Sequence, residues 1–283
     1  MPEYTVIRYE SVEDHIVRIV LNRPEKRNAQ NHTMTNELND AFTAAAADPD
    51  VKVILLAAEG PHFSSGHDQT NRGANSDIRT VGTWFDYDAP GIEGQMSRTR
   101  EAYFDMCWRW RNIPKPIIAA AQGKTIGGGL PLLWVCDIIV ASDDASFADP
   151  TVHASVNGVE YFGHPWEFGP RKAKELLFTS DYLSAEEARQ IGMVNQVVPL
   201  DQLEETVLKM ARKIALKPSL GLKLAKEAVN GMLDAEGQYN ALRAAFSLCT
   251  IGHAQQQIVG KPADGYGPGF MNVATGRVNA VSE

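Results

Sequence analysis

Cysteine is scarce in this chain, with only Cys107, Cys136 and Cys249 in 283 residues. An odd, widely spaced set suits neither a disulfide framework nor a zinc site, and it fits a reducing compartment. Basic charge is in deficit: 27 Lys and Arg against 35 Asp and Glu give a formal net charge of −8. An acidic surface repels phosphate backbones, which argues against nucleic acid and anionic membrane as bulk partners. A local basic patch can still hold a small phosphorylated ligand. No run approaches the ~20 apolar residues that span a bilayer. The N-terminal Met1-Pro2-Glu3-Tyr4 lacks the basic-then-apolar order of a signal peptide. A cytoplasmic protein is expected. The P-loop, the GxGxxG dinucleotide fingerprint and the Gly-x-Ser-x-Gly elbow are all missing. No His/Cys/Asp cluster shows ligand spacing, so no metal is expected.

What is present is ordinary globular composition, 44% apolar and 22% charged, at a length that suggests one or two domains. β-Branched runs bounded by breakers predict strands at His15–Leu21, Val51–Ala57, Pro116–Ala121, Asp137–Ala141 and Met193–Val198. The middle three are almost wholly apolar, as expected for strands covered on both faces. Met34–Ala47 reads as a helix stopped by Asp48-Pro49-Asp50. Two capping-box spacings, Ser184–Glu187 and Asp201–Glu204, precede further helices. The fold class is therefore α/β. An α/β core over 1–200 is followed by a helical region over 201–260 and a Gly/Pro-rich tail over 261–283.

Two glycine segments stand out. Gly60-Pro61-His62-Phe63-Ser64-Ser65-Gly66-His67-Asp68 follows one predicted strand, and Gly123-Lys124-Thr125-Ile126-Gly127-Gly128-Gly129 follows another. Glycines let a backbone come close to a ligand, and N–H groups opening a helix favour negative charge. Two such loops on neighbouring strands can aim two donors at one oxygen, an oxyanion hole. The bland alternative is a pair of tight turns. A third segment, Leu21-Asn22-Arg23-Pro24-Glu25-Lys26-Arg27-Asn28-Ala29, carries three cations in five residues that can hold phosphates.

These segments in this order resemble the crotonase (enoyl-CoA hydratase/isomerase) superfamily. So do Ile113-Pro114-Lys115-Pro116, Cys136–Ala141, Phe147-Ala148-Asp149-Pro150, Leu183–Ala188 and Gly192-Met193-Val194. The resemblance runs from about Tyr4 to Gln257. It implies a crotonase-like spiral of ββα units with a C-terminal helical region that packs against neighbours, in a homotrimer or a dimer of trimers. It also implies a coenzyme A thioester as substrate with no bound cofactor, and Arg23, Lys26, Arg27 and Ala29 as the CoA loop. The backbone N–H groups of His67 and Gly128 would take the oxyanion positions.

The two glutamates that handle water in family hydratases are not here: their positions hold Pro131 and Thr151, and neither residue transfers protons near neutral pH. Isomerase, decarboxylase or C–C-cleaving chemistry is expected instead. Alternatives are an inactive acyl-CoA-binding protein, or a hydratase with a different acid/base. The Gly66-His67-Asp68 sequence resembles that of family decarboxylases, whose histidine side chain sits near the substrate carboxylate; the alternative is that His67 contributes only its backbone N–H. Glu160 and Asp149 are the candidate acid/base carboxylates, with capping of a turn as the alternative role for Asp149 and a surface salt bridge for Glu160. His153 and His164 are expected to be packed or solvated. Trp84, Phe85 and Tyr87 would suit a bulky ring-bearing acyl group, with Phe104 and Trp108 on one helix face; the alternative is that these aromatics only pack the helix onto the core.

Overall fold

In the computed structural model, residues 4–68, 78, 79, 81 and 86–259 are described. The Gly/Pro-rich tail and the aromatic pair Trp84 and Phe85 lie outside them.

The chain opens with β1 (Ile7–Glu13) and β2 (Ile16–Leu21), then α1 (His32–Ala47) and β3 (Val53–Ala58). Asn31 caps α1 by accepting from the Met34 N–H at 2.9 Å. Next come α2 (Ile92–Thr99), a π-helical turn over Arg100–Asp105 and α3 (Met106–Arg111). β4 (Ile117–Ala121), β5 (Lys124–Ile126), a 3-10 turn over Gly127–Gly129 and α4 (Leu130–Trp134) follow. Then β6 (Ile138–Ser142), β7 (Ser146–Ala148), α5 (His164–Thr179), β8 (Leu183–Ser184), α6 (Ala185–Gln190) and β9 (Gln196–Val198). Three helices end the described chain: α7 (Leu203–Ala215), α8 (Ser219–Ala235) and α9 (Gln238–Val259).

The large sheet has the order β1-β2-β3-β4-β6-β9, antiparallel only at β1-β2. Alternation along its strands sends side chains to opposite faces. Ile54 and Leu56 join one core with Leu38, Phe42 and Trp110, whereas Val53 and Leu55 face Leu203, Val207 and Ala211 of α7. That double coverage is why β3, β4 and β6 are nearly all apolar. A smaller sheet, β5-β7-β8, stands beside it.

The Ser184–Glu187 capping box forms. Asp201 does not cap α7: it falls inside a 3-10 turn over Leu200–Gln202, and Gln202 takes the cap position without a side-chain bond.

Candidate functional site

Three loops meet at the edge of the small sheet. Backbone pairing brings the segment after β3 alongside β5: Ser64 N–H donates to the Lys124 carbonyl at 3.2 Å, and Ile126 N–H to the Ser64 carbonyl at 2.9 Å. A Cβ on Gly66, whose φ is +91°, would lie 2.7 Å from the Ile126 carbonyl oxygen and 3.2 Å from the Gly128 nitrogen. Only glycine lets these two loops touch. Gly128 is the second residue of the 3-10 turn that opens α4, where early N–H groups have no intrahelical acceptor. On the other side, Gln30 N–H donates to the Gly66 carbonyl and Asp68 N–H to the Gln30 carbonyl, both at 2.8 Å. The Arg23–Ala29 loop is thereby joined to the same junction.

The His67 ring lies directly over Gly128. A Cβ at Gly128 would sit 2.3 to 2.6 Å from three of its ring atoms. Its Nε2 is 3.1 Å from Oε2 of Glu160, and its face stacks on Tyr103 with centroids 3.7 Å apart. Tyr103 comes from the π-helical turn between α2 and α3, a helical irregularity frequent at functional sites.

Glu160 is buried, at 7% exposure. Burial pushes its carboxyl pKa up. The charge and hydrogen bond of His67, with His253 behind, outweigh that and hold it down at about 2. Glu160 is therefore a carboxylate at neutral pH. If that carboxylate accepts the Nε2 proton of a neutral His67, the ring's lone pair is on Nδ1.

Asp149, the other candidate, is elsewhere. Its carboxylate accepts from the Thr151 and Val159 N–H groups at 3.0 and 3.1 Å, and lies 2.8 Å from Nε2 of His164. Both partners are sealed from solvent, at 2% and 0% exposure, with His164 edge-on to Trp134. The turn-forming role therefore describes Asp149, and the surface salt bridge weighed for Glu160 is replaced by a buried one. Breaking a buried pair by removing one member typically costs about 3–5 kcal/mol, so Asp149→Ala should lower stability by that order in denaturant melts. The Asp149 pKa is lowered: burial raises it, and the His164 hydrogen bond and charge, with those of Thr151, overcome that. Its contribution is therefore present above the unfolded carboxyl value, roughly pH 4, and is lost as pH falls through the lower folded value. A loss of acid stability that Asp149→Ala does not alter would contradict this.

The cations of the third loop divide. Arg23 does not present an open charge: both terminal nitrogens bond Oδ2 of Asp68 at 3.0 Å, and one also donates to the Ala29 carbonyl. It braces the loop. Lys26 and Arg27 are exposed. Arg27 and Asn28 both have left-handed backbones, fixed where the Asn28 amide donates to the Glu59 and His62 carbonyls. His153 is exposed. Phe104 and Trp108 pack on Tyr239, and Phe104 also on Phe246, so they hold the helix to α9.

One cluster went unforeseen. Cys249 and His253 of α9 place a thiol sulfur and an imidazole nitrogen within 4.8 Å of each other and of a Glu160 oxygen. This corrects the reading that no cluster has ligand spacing. The signal was the i, i+4 spacing, which puts two residues on one helix face.

A family model described as enoyl-CoA hydratase/isomerase matches residues 11–258. The chain belongs to the enoyl-CoA hydratase/isomerase family. EchA13 of Mycobacterium tuberculosis H37Rv, which carries an enoyl-CoA hydratase name, is 43% identical, the match covering 89% of this chain and 82% of that protein. A Mycobacterium smegmatis crystal structure under the same enzyme name is 46% identical over 90% of this chain and 96% of that one, with a TM-score of 0.82. An enoyl-CoA hydratase/isomerase from Xanthobacter autotrophicus Py2 is 30% identical over 97% and 98%, with a TM-score of 0.80. The crotonase fold expected from the sequence is therefore this chain's fold, and the family's substrates are coenzyme A thioesters, used without a further cofactor. No described helix is long and apolar enough to cross a membrane.

Proposed function

We propose that this enzyme forms and reprotonates a thioester enolate, with the His67–Glu160 pair as its acid/base, and that it is not an ordinary enoyl-CoA hydratase. The observation that carries this reading is the 3.1 Å contact between His67 Nε2 and Glu160 Oε2 directly above Gly128. The thioester oxygen would accept from the His67 and Gly128 N–H groups. Nδ1 of His67 would take the α-proton, the C–H electrons would pass into the carbonyl, and Glu160 would stabilise the imidazolium. Return of that proton to a different carbon is isomerisation. Where the α-substituent is a carboxylate, its C–C bond breaks in place of the C–H bond and it leaves as carbon dioxide; an acyl branch is cleaved the same way once water has added to its carbonyl, and leaves as a carboxylic acid. The electrons of the broken bond enter the same enolate, which a proton then quenches. Lys26 and Arg27, exposed at the third loop, suit the CoA phosphates, with Ala29 and the Arg23-braced backbone beside them.

Self-association belongs to the same proposal. α8 buries none of its residues in the single chain, and Leu220, Leu224, Val229 and Met232 along it are exposed. Apolar surface of this kind marks a protein interface, as in a homotrimer or a dimer of trimers. The three cysteines, none of them in a disulfide, suit a cytoplasmic setting.

Crotonyl-CoA tests the departure from hydratase chemistry. Purified protein should bind it yet leave its enoyl-thioester absorbance unchanged, because Pro131 and Thr151 stand where the resemblance puts the two glutamates. An identically purified Gly128→Pro variant controls for host hydratase. Robust turnover that this variant loses would overturn the proposal.

A further inference from the structure

α9 reaches the site through the loop that carries Glu160. Gln256 donates to the Ala154 carbonyl, and Asn157 donates to the Ala245 carbonyl at 3.3 Å. Between them a Cβ on Gly252 would lie 2.6 Å from the Ser155 carbonyl oxygen and 3.1 Å from Val156 Cα. The helix can press this closely on residues 154–157 only because position 252 lacks a side chain. That contact sets the next residue, His253, and Cys249 one turn back, against the Glu160 carboxylate, all three buried and within 4.8 Å of one another.

We propose that His253 is a positioning residue for Glu160, holding the carboxylate from the α9 side while His67 holds it from the site. This rests on the reading of His67–Glu160 as the acid/base. An imidazole packed within 4.8 Å of the carboxylate, on the flank away from His67, leaves it less room to rotate out of line with the ring it orients. The groups that face Glu160 are His67 from the loop after β3, His253 and Cys249 from α9, and Cys107 from α3 with Arg109 beyond it. Burial pushes the Cys107 thiol well above its ordinary range, with the Glu160 charge adding to it, so it stays uncharged. Cation binding by the trio competes with this role, since a bound ion would need the carboxylate that His67 engages.

The test is exchange of the α-protons of butyryl-CoA with deuterated solvent, followed by NMR across pH, for wild type, His253→Leu and His253→Gln. Losing the favourable electrostatic interaction of a neighbouring imidazole makes the Glu160 carboxylate more basic, and it then holds the imidazolium it pairs with more tightly. His253→Leu should therefore move the acid limb of the rate profile to higher pH by about one unit and lower the rate about tenfold, a change of about 1.4 kcal/mol. Butyryl-CoA affinity should stay as in wild type. His253→Gln, which keeps a polar group of similar reach beside the carboxylate, should restore most of the profile. A wild-type profile in His253→Leu, or a rate loss with no shift that glutamine does not rescue, would overturn the proposal. A separate arm follows the imidazole titrations of 15N-histidine-labelled protein. In Glu160→Gln the His253 titration should fall by about one unit, and an unmoved titration would overturn the coupling. If Glu160→Gln instead exchanges at the wild-type rate while His253 still shifts, the acid/base reading fails and the coupling stands. Stoichiometric zinc in the purified protein, removed by Cys249→Ser, would also overturn it.

Discussion

Gly128→Ala should yield a folded protein that binds a CoA thioester and has lost enolate formation by about 10²–10⁴-fold. The new methyl would lie 2.3 Å from Cε1, 2.5 Å from Nδ1 and 2.6 Å from Nε2 of His67. A side-chain tip usually swings away from such a clash cheaply. This ring cannot do so without parting from Glu160 at 3.1 Å and from the Tyr103 face at 3.7 Å. On the proposed mechanism, displacing it removes the acid/base from above the oxyanion position, and the turn that would supply the second N–H is strained at the same time. Overpacking of this kind costs about 1–3 kcal/mol, which a thermal melt would register as a moderate fall. Gly127→Ala is the matched control. Its φ is +50°, but a Cβ there meets nothing within 4 Å, so the cost is about 1–2 kcal/mol of left-handed strain with exchange largely kept. Equal activity in the two variants would contradict the packing of His67 on Gly128.

Glu160→Gln should retain the fold and lose about 10²–10⁴ in rate, as expected for a disabled general base. The amide can still bond the ring, but it cannot stabilise an imidazolium and can instead donate to Nε2, selecting the wrong tautomer. The same change bears on acid stability. With a folded value of about 2 against roughly 4.3 unfolded, the carboxylate contributes on the order of 3 kcal/mol above about pH 5. That contribution declines as pH falls and is gone near pH 2. Wild type and Glu160→Gln should therefore differ in the pH dependence of their melting temperatures over that window, the variant showing the flatter profile. Parallel profiles would mean the pair is not coupled.

The strands that carry the site could be read from the sequence because burial on both faces leaves an unbroken apolar run. Val53–Ala58, Ile117–Ala121 and Ile138–Ser142 all fall within a residue or two of where composition placed them. β1 gave no such signal. Ile7–Glu13 is an edge strand paired on one side only, and three of its seven residues are charged, so it reads as surface. The short strands β5, β7 and β8 have two or three residues each, too few for any periodicity to show.

At the site, the glycine loops showed that two backbones could converge on one ligand atom, but not the direct contact that joins them. That follows from the pairing of Ser64 with Thr125, a contact between segments far apart in sequence. Asp149 and Glu160 looked equivalent because both lie in one irregular stretch between strands. What separates them is the third dimension: the Thr151 and Val159 amides and His164 engage Asp149, while Glu160 turns to His67. Arg23 could not be told apart from Lys26 and Arg27 for a related reason, since its partner Asp68 arrives from another loop. His253 was overlooked because the i, i+4 pair with Cys249 lacks a third donor until the α9 clamp brings Glu160 to it.

Enolate chemistry without hydration can be decided with one preparation. In deuterated buffer at neutral pH, wild-type enzyme given saturated acyl-CoA should incorporate deuterium at the α-carbon at a rate that Glu160→Gln reduces at least a hundredfold. Crotonyl-CoA in the same preparation should remain unhydrated. Hydration of crotonyl-CoA, or an α-carbon that stays protonated with every acyl-CoA bound, would contradict the account.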